Sequence, residues 1–266
     1  MDNEDILPFF LHLSEIAEMV TIPAFRKHLD VEDKSIGDGF DPVTKIDRET
    51  ERALISEILS RYPRHSVLGE ETGITEGLDS WTWIIDPIDG TRSYISGLPT
   101  WGTLIGLLKD NVPIYGMMSQ PLVKDCFIGG GGIAELVRPE ARSLLNVRDY
   151  RSLAEVVLFS TSPDMFVSTQ EINGFDRLSK AVKLTRFGAD SYGYCLLAAG
   201  CVDLVVEADL EYYDIAPLIP IVEAAGGVVS DWEGNPVRAG GRVVAASTQK
   251  LLDEALALLG PQEQRF

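Results

Sequence analysis

The chain has 266 residues, 45% hydrophobic and 24% charged, a mixture that suits one large or two coupled small globular units able to bury a sizeable core. Its formal charge of −18 argues against non-specific binding to nucleic acid or anionic membrane, but not against a phosphorylated substrate, because bound cations reverse the local field. No run approaches the roughly 18 apolar residues of a membrane span, and Cys126, Cys195 and Cys201, with no CxxC pair, point to a reducing cytoplasmic setting rather than a disulfide framework.

The opening MDNEDILPFF is acidic, unlike a signal or transit peptide. Residues 5–28 carry Leu7, Phe10, Leu11, Leu13, Ile16, Ala17 and Val20 at helical spacing, which predicts a first helix. An Asp- and Gly-rich loop, GDGFDP, follows at 37–42. Leu54, Ile55, Ile58, Leu59 and Tyr62 share one face of a second helix, which Pro63 stops. The short apolar runs 82–86, 101–108 and 113–119, bounded by turn residues, predict buried strands. Glycines at 129–132 and the polar stretch 138–152 interrupt the pattern. They mark the boundary between an N-terminal half, 1–145, and a C-terminal half, 146–266, of one continuous unit. Beyond it come a strand at 154–159, a helix near 168–181, a strand at 183–187 and a helix over 190–199. A strand at 202–207, a helix over 214–225, strands at 227–231 and 243–247 and a last helix follow. This alternation indicates an α/β layered fold.

The densest chemistry is Asp86-Pro87-Ile88-Asp89-Gly90-Thr91, directly after the apolar run Trp83-Ile84-Ile85. The strand delivers Asp86 to its carboxyl end, where α/β proteins place ligands. Pro87 removes a ladder donor, and Gly90 permits the positive φ of a sharp turn. A helix starting near Gly90 would aim free N–H groups at the same spot, a cradle for phosphate. An Asp-x-x-Asp-Gly segment is also an ordinary turn. Glu70 and Glu71, in Gly69-Glu70-Glu71-Thr72-Gly73, read equally as a solvated loop. Asp47 and Asp214 read equally as helix N-caps. The three histidines, His12, His28 and His65, read as surface or satisfied residues and are too few for a histidine-rich metal site. If the acids converge without a balancing base, they must share protons or hold cations. Oxygen-only ligands select hard ions, and Mg²⁺ fits best where waters and phosphate complete its shell.

WIIDPIDGT at 83–91, GEETG at 69–73 and YYDIAPLIPIVEAAGG at 212–227 resemble the inositol monophosphatase superfamily over nearly the whole chain. Residues 86–108 and 186–214 resemble its histidinol-phosphatase branch. Tyr94, Leu98 and Trp101 depart from the expected Phe, Lys or Arg, and Phe, and Ala189 stands where Gly is usual.

The resemblance implies an αβαβα five-layered sandwich of the inositol monophosphatase and fructose-bisphosphatase type, a lithium-sensitive Mg²⁺ phosphatase with two or three ions per site, and a homodimer. It implies that Glu70, Asp86 and the Ile88 carbonyl hold a first Mg²⁺. Asp86, Asp89 and Asp214 would hold a second, and Glu71 would help hold a third. Thr91 and Asp47, with Glu70, would orient and deprotonate the attacking water. The N–H groups of Gly90 and Thr91 would hold phosphate. Arg186, Asp190 and Glu207 are expected against the alcohol part of the substrate, although Arg186 and Asp190 also read as a surface pair with Asp190 capping a helix. Carboxylates at 190 and 207 suit the ammonium and imidazole of L-histidinol phosphate. An inositol phosphate or other sugar phosphate is the alternative substrate, and a non-catalytic cation-binding module the alternative class. An EF-hand beginning at Asp86 is excluded, because its twelfth position is Gly97.

Overall fold

In the N-terminal half, period-2 and period-3.6 apolar patterns meet across one sheet. A computed structural model describes residues 3–28, 31–33 and 42–260, so all of the expected loop at 37–42 except Pro42 lies outside the described residues. Helix α1 (Asn3–Ala24) is followed by a two-stranded ribbon of β1 (Val31–Asp33) and β2 (Pro42–Thr44), then by helix α2 (Lys45–Arg61). The first sheet is built from β3 (Ser66–Gly69), β4 (Gly73–Thr75), β5 (Trp81–Asp89), β6 (Gly102–Lys109), β7 (Val112–Gln120), β8 (Asp125–Gly130), β9 (Ile133–Arg138) and β10 (Ala141–Leu144), with the short helix α3 (Thr91–Ser96) after β5. Its strand order is β10-β9-β8-β7-β6-β5-β3-β4. Along β5, Trp83 and Ile85 face α1 and α2, packing on Phe9, Phe10, Leu54 and Ile58, while Ile84 between them faces the other side.

By length and composition α1 is apolar enough to cross a membrane, which the sequence reading passed over. Its Ile6, Phe9, Phe10, Leu13 and Ala17 are instead buried against α2 and the first sheet. The glycines at 129–132 do not break the pattern either. Gly129 and Gly130 end β8, and the turn leads straight into β9, so the first sheet continues to Leu144.

The second sheet holds β11 (Val157–Ser160), β12 (Leu184–Phe187), β13 (Leu204–Leu210), β14 (Val228–Asp231) and β15 (Gly241–Ala246), in the order β12-β11-β13-β15-β14. Helix α4 (Thr169–Ala181) joins β11 to β12, and α5 (Tyr192–Ala198) joins β12 to β13. Pro217 splits the expected helix over 214–225 into α6 (Tyr212–Ile215) and α7 (Leu218–Ala224), and α8 (Gln249–Leu259) closes the chain. A core between the sheets takes Leu104, Met118 and Phe127 from the first, Val205 and Val243 from the second, and Leu197 and Ile221 from α5 and α7. A further core seats Leu178 of α4 and Leu251 of α8 on the outer face of the second sheet. The layers are therefore helix, sheet, helix, sheet, helix, as the family resemblance implies.

One feature of this stack fixes the site. Gly106, Gly116 and Gly129 are register neighbours across β6, β7 and β8. A Cβ on Gly116 would strike the carbonyl of Pro217, and one on Gly129 would strike the backbone of Ile221. This glycine row lets the α6–α7 backbone lie directly on the first sheet. Asp214, three residues before Pro217, is thereby brought to the end of β5.

Candidate metal centre and substrate cleft

Asp86 and Asp89 are three residues apart, so on a regular strand they would face opposite sides. The register against β6 runs from Asp86↔Leu104 to Asp89↔Gly102, three residues against two, and this bulge turns both acids the same way. Asp86 Oδ1 accepts the Ile88 N–H at 3.0 Å, which tightens the turn. Gly90 then takes φ +77° and starts α3. Asp214 enters from α6, where its Oδ2 accepts the Glu211 N–H at 2.8 Å, a reciprocal cap in which Glu211 rather than Asp214 is the N-cap. Asp86, Asp89 and Asp214 each offer an oxygen within 4.8 Å of the others. Glu70 follows β3, its N–H bound to the Ile85 carbonyl at 3.1 Å.

These acids hold one another's protons on. Burial first, then the charges of Glu70, Asp89 and Asp214, push Asp86 well above the usual carboxylate range. Burial and the Asp190 charge push Asp89 up to about 7, and burial and Asp89 push Asp214 well above its ordinary value. They floor a cleft of about 430 Å³ whose lining includes eight acidic residues and one basic residue, Arg92. Converging carboxylates with no histidine, cysteine or lysine among them form a donor set for hard divalent ions, and Mg²⁺ fits it.

The other expected site residues separate into two groups. Asp47 is not an N-cap. Thr44 caps α2, and Asp47 Oδ2 accepts both the Thr44 N–H (2.9 Å) and its hydroxyl (2.6 Å). That leaves Oδ1 facing the Thr91 hydroxyl at 3.4 Å, while Thr91 also donates to the Ile88 carbonyl at 2.9 Å. Burial raises the Asp47 pKa, with a smaller push from Glu71. The Glu71 carboxylate is outside the residues lining the cleft and lies 3.8 Å from Arg48.

Asp190 and Glu207 line the cleft. Asp190 neither caps α5 nor serves a surface pair. It accepts hydrogen bonds from Ser93 (2.7 Å) and Thr100 (3.3 Å) and overhangs Gly90, whose absent Cβ would sit 2.9 Å from the Asp190 carboxyl carbon. Glu207 is 3% exposed and accepts from the Thr161 N–H (2.9 Å), the Thr161 hydroxyl (2.6 Å) and the Tyr194 hydroxyl (2.9 Å). Burial is the main cause raising both carboxyls, and at Asp190 the Ser93 and Thr100 bonds and Arg92 oppose it. Arg186 stands exposed on β12, outside the residues lining the cleft.

Sequence reasoning missed Arg92, Thr161, Ser191 and Tyr194. Arg92 carried a readable signal, a base directly following the Asp-x-x-Asp-Gly-Thr run. Ser191 donates its N–H to Asp89 Oδ2 at 2.9 Å, and this contact between residues 102 apart has no linear signature. The departures at 94 and 101 explain each other. Tyr94 and Trp101 meet edge to face at 4.8 Å against Phe25, and the Tyr94 hydroxyl donates to the Thr21 carbonyl at 2.8 Å.

The sequence profile of the inositol monophosphatase family matches residues 2–264. The chain is 38% identical to a bifunctional phosphatase of Arabidopsis thaliana, IMPL2, chloroplastic, over 88% of this chain and 69% of that one. It is 32% identical to a histidinol-phosphatase of Streptomyces coelicolor, over 96% of this chain and 95% of that one. Among solved structures, an inositol monophosphatase from Zymomonas mobilis superposes with a TM-score of 0.83 at 32% identity, covering 96% of this chain and 98% of that one.

Proposed function

This chain belongs to the inositol monophosphatase family, whose phosphatases are generally Mg²⁺-dependent, and from that premise we propose that it is a phosphomonoesterase hydrolysing L-histidinol phosphate to L-histidinol and phosphate. The observation that carries the substrate is the pair of carboxylates, Asp190 and Glu207, lining the same cleft as the acidic triad. A substrate with an ammonium and an imidazole brings full positive charge to these carboxylates, adding ion-pair attraction to the hydrogen bonds, whereas a neutral polyol brings hydroxyl donors alone. The likeness to a histidinol-phosphatase over nearly both chains supports the same reading.

In this reading Glu70, Asp86, Asp89, Asp214 and the Ile88 carbonyl hold Mg²⁺. Bound Mg²⁺ supplies charge that draws in the phosphate dianion and makes water acidic enough to attack phosphorus. The chain's own groups do the rest. Asp47 Oδ1 and the Thr91 hydroxyl form the short relay that orients the attacking water and takes its proton. The positive φ of Gly90 turns the first N–H groups of α3 toward the phosphate oxygens. Asp190, tied to Ser93 and Thr100, sets the distance between the phosphate subsite and the alcohol subsite.

The test is a comparison of kcat/KM for histidinol phosphate and inositol 1-phosphate in saturating Mg²⁺, with Asp190→Asn and Glu207→Gln alongside. Histidinol phosphate is expected to lead by at least about tenfold, or roughly 1.4 kcal/mol. Both variants should lose that lead while keeping hydrolysis of a small generic phosphate ester. A lead for inositol phosphate would move the protein to the polyol phosphatases with the metal chemistry intact.

A further inference from the structure

The turn that carries Glu70 is the three-residue tip of the β3–β4 hairpin, closed by the Gly69–Gly73 pair. The Glu70 N–H is held by β5, and the next two peptide N–H groups are bound by Glu51. Glu51 lies on the second turn of α2 and is 0% exposed. Its Oε2 accepts the Glu71 N–H at 2.8 Å, and its Oε1 accepts the Thr72 N–H at 2.8 Å and the Thr72 hydroxyl at 2.5 Å. Gly69 makes the room, since a Cβ there would collide with the Glu51 carboxyl group. Asp47 stands four residues earlier on the same face of α2, with Oδ1 toward Thr91.

We propose that Glu51 is a positioning residue of the metal site, holding the 70–72 backbone so that the Glu70 carboxylate stands at a fixed place beside Asp86. The inference rests on the reading of Glu70 as an ion ligand. A buried carboxylate is tolerated only while its bonds are made, and bonds to an ionised acceptor are the strong kind. The three donors therefore lock the turn to α2. Because a helix moves as a unit, Asp47 and Glu51 on one face tie the Thr91 relay and the Glu70 ligand to the same rigid body. Glu51 itself touches neither ion nor substrate.

The test is Mn²⁺ titration of the chelator-stripped protein, followed calorimetrically and without substrate. Glu51→Gln keeps the shape but turns one acceptor oxygen into an amide NH₂ facing an N–H donor. Its Mn²⁺ affinity is expected to fall by about tenfold, the scale seen when groups that orient metal ligands are lost. Half-saturating Mg²⁺ for p-nitrophenyl phosphate hydrolysis should rise in parallel, with kcat at saturating Mg²⁺ within about threefold of the parent, as befits a group that orients a ligand. Thr72→Val, which deletes one donor, should move the same affinity in the same direction by about two- to threefold, the smaller share of one bond in three. It decides the matter if Glu51→Gln does not fold. Thr50→Val is the control, because its buried hydroxyl has no hydrogen-bond partner among the described residues, and it should change nothing. Unchanged Mn²⁺ affinity in folded Glu51→Gln, whatever its Tm, would overturn the inference. So would unchanged affinity in Thr72→Val where the glutamine variant is unfolded. Absence of saturable Mn²⁺ binding by the unsubstituted protein would remove the ligand reading and this inference together. A failed preference for histidinol phosphate would leave the metal result standing.

Discussion

Asp89→Asn is expected to abolish activity and at the same time to stabilise the ion-free protein. Burial and the neighbouring Asp190 charge raise Asp89 from 3.8 to about 7. A carboxyl raised in the folded state keeps a proton that the unfolded chain gives up. The folded state therefore carries no penalty below about pH 4, loses stability as pH rises, and bears the whole cost above about pH 7. That rise in pKa corresponds to about 4 kcal/mol, and water at the cleft mouth screens it toward about 2 kcal/mol. Asparagine removes the charge yet still offers an oxygen to the Ser191 N–H. In chelator at pH 8 the variant should melt about 4–8 °C above the parent, using 2–4 °C per kcal/mol for a chain of this size. At pH 5.5 that advantage should be about half as large. Mg²⁺ at a hundred to a thousand times its Kd would then lift the parent by about 3–4 kcal/mol and leave the variant behind. Scanning calorimetry at the two pH values, with chelator and with Mg²⁺, reads all four melting points. An asparagine variant no more stable than the parent in chelator at pH 8, or one whose advantage shrinks as pH rises, would refute the account of these acids as mutually repelling ligands.

Thr91→Val should lower kcat by about 10²–10³ with KM little changed, because it removes the relay hydroxyl but not the phosphate-binding N–H groups; steady-state kinetics at saturating Mg²⁺ checks this. Tyr94→Phe deletes the buried bond to the Thr21 carbonyl, and a loss of about 1 kcal/mol in urea unfolding with kcat intact is expected. Gly116→Ala forces a methyl group against the Pro217 carbonyl, so it should destabilise by about 3 kcal/mol and weaken Mg²⁺-dependent activity, since Asp214 shifts with α6.

The cleft acids Glu70, Asp86 and Asp89 were legible as candidates because they stand in short runs, Gly69 to Gly73 and Asp86 to Thr91, in which strand, turn and acids follow each other directly. What stayed hidden depends on contacts between distant segments. The glycines at 129–132 read as an interruption because a strand signal is a signal of side chains, and here the side chain of 129 is missing to admit the backbone of α7 while Gly132 takes the positive φ of the following turn. Asp190 was expected against the substrate and read alternatively as a cap or a partner of Arg186, its neighbours along the chain, whereas what holds it is Ser93 and Thr100, some ninety residues away. Asp47 read evenly as an N-cap or a catalytic group, because an acid opening a helix is usually a cap. Thr44 takes that position, and the carboxylate is released to face Thr91. Glu51 had no signal at all, since an acid within a helix of mixed charge is most often solvated.

The electrostatics of the cleft also constrain the order of events under the proposed chemistry. Its lining includes eight acidic residues against the one base Arg92, on a chain whose formal charge is −18. A phosphate dianion approaching the ion-free cleft meets repulsion from every side except that of Arg92, and low-dielectric walls concentrate that field. Protonation alone does not remove it, because Asp89 gives up its proton near pH 7. Divalent cations held by Asp86, Asp89 and Asp214 would reverse the sign locally, so under this chemistry they would precede the phosphate. Asp190 and Glu207, which neighbour Asp89 but are not members of the triad, would keep their negative charge for the cationic end of the substrate. One acidic cleft then presents two opposite faces to one molecule, positive where the ions sit and negative where the amine is received. A neutral polyol phosphate would use only the first.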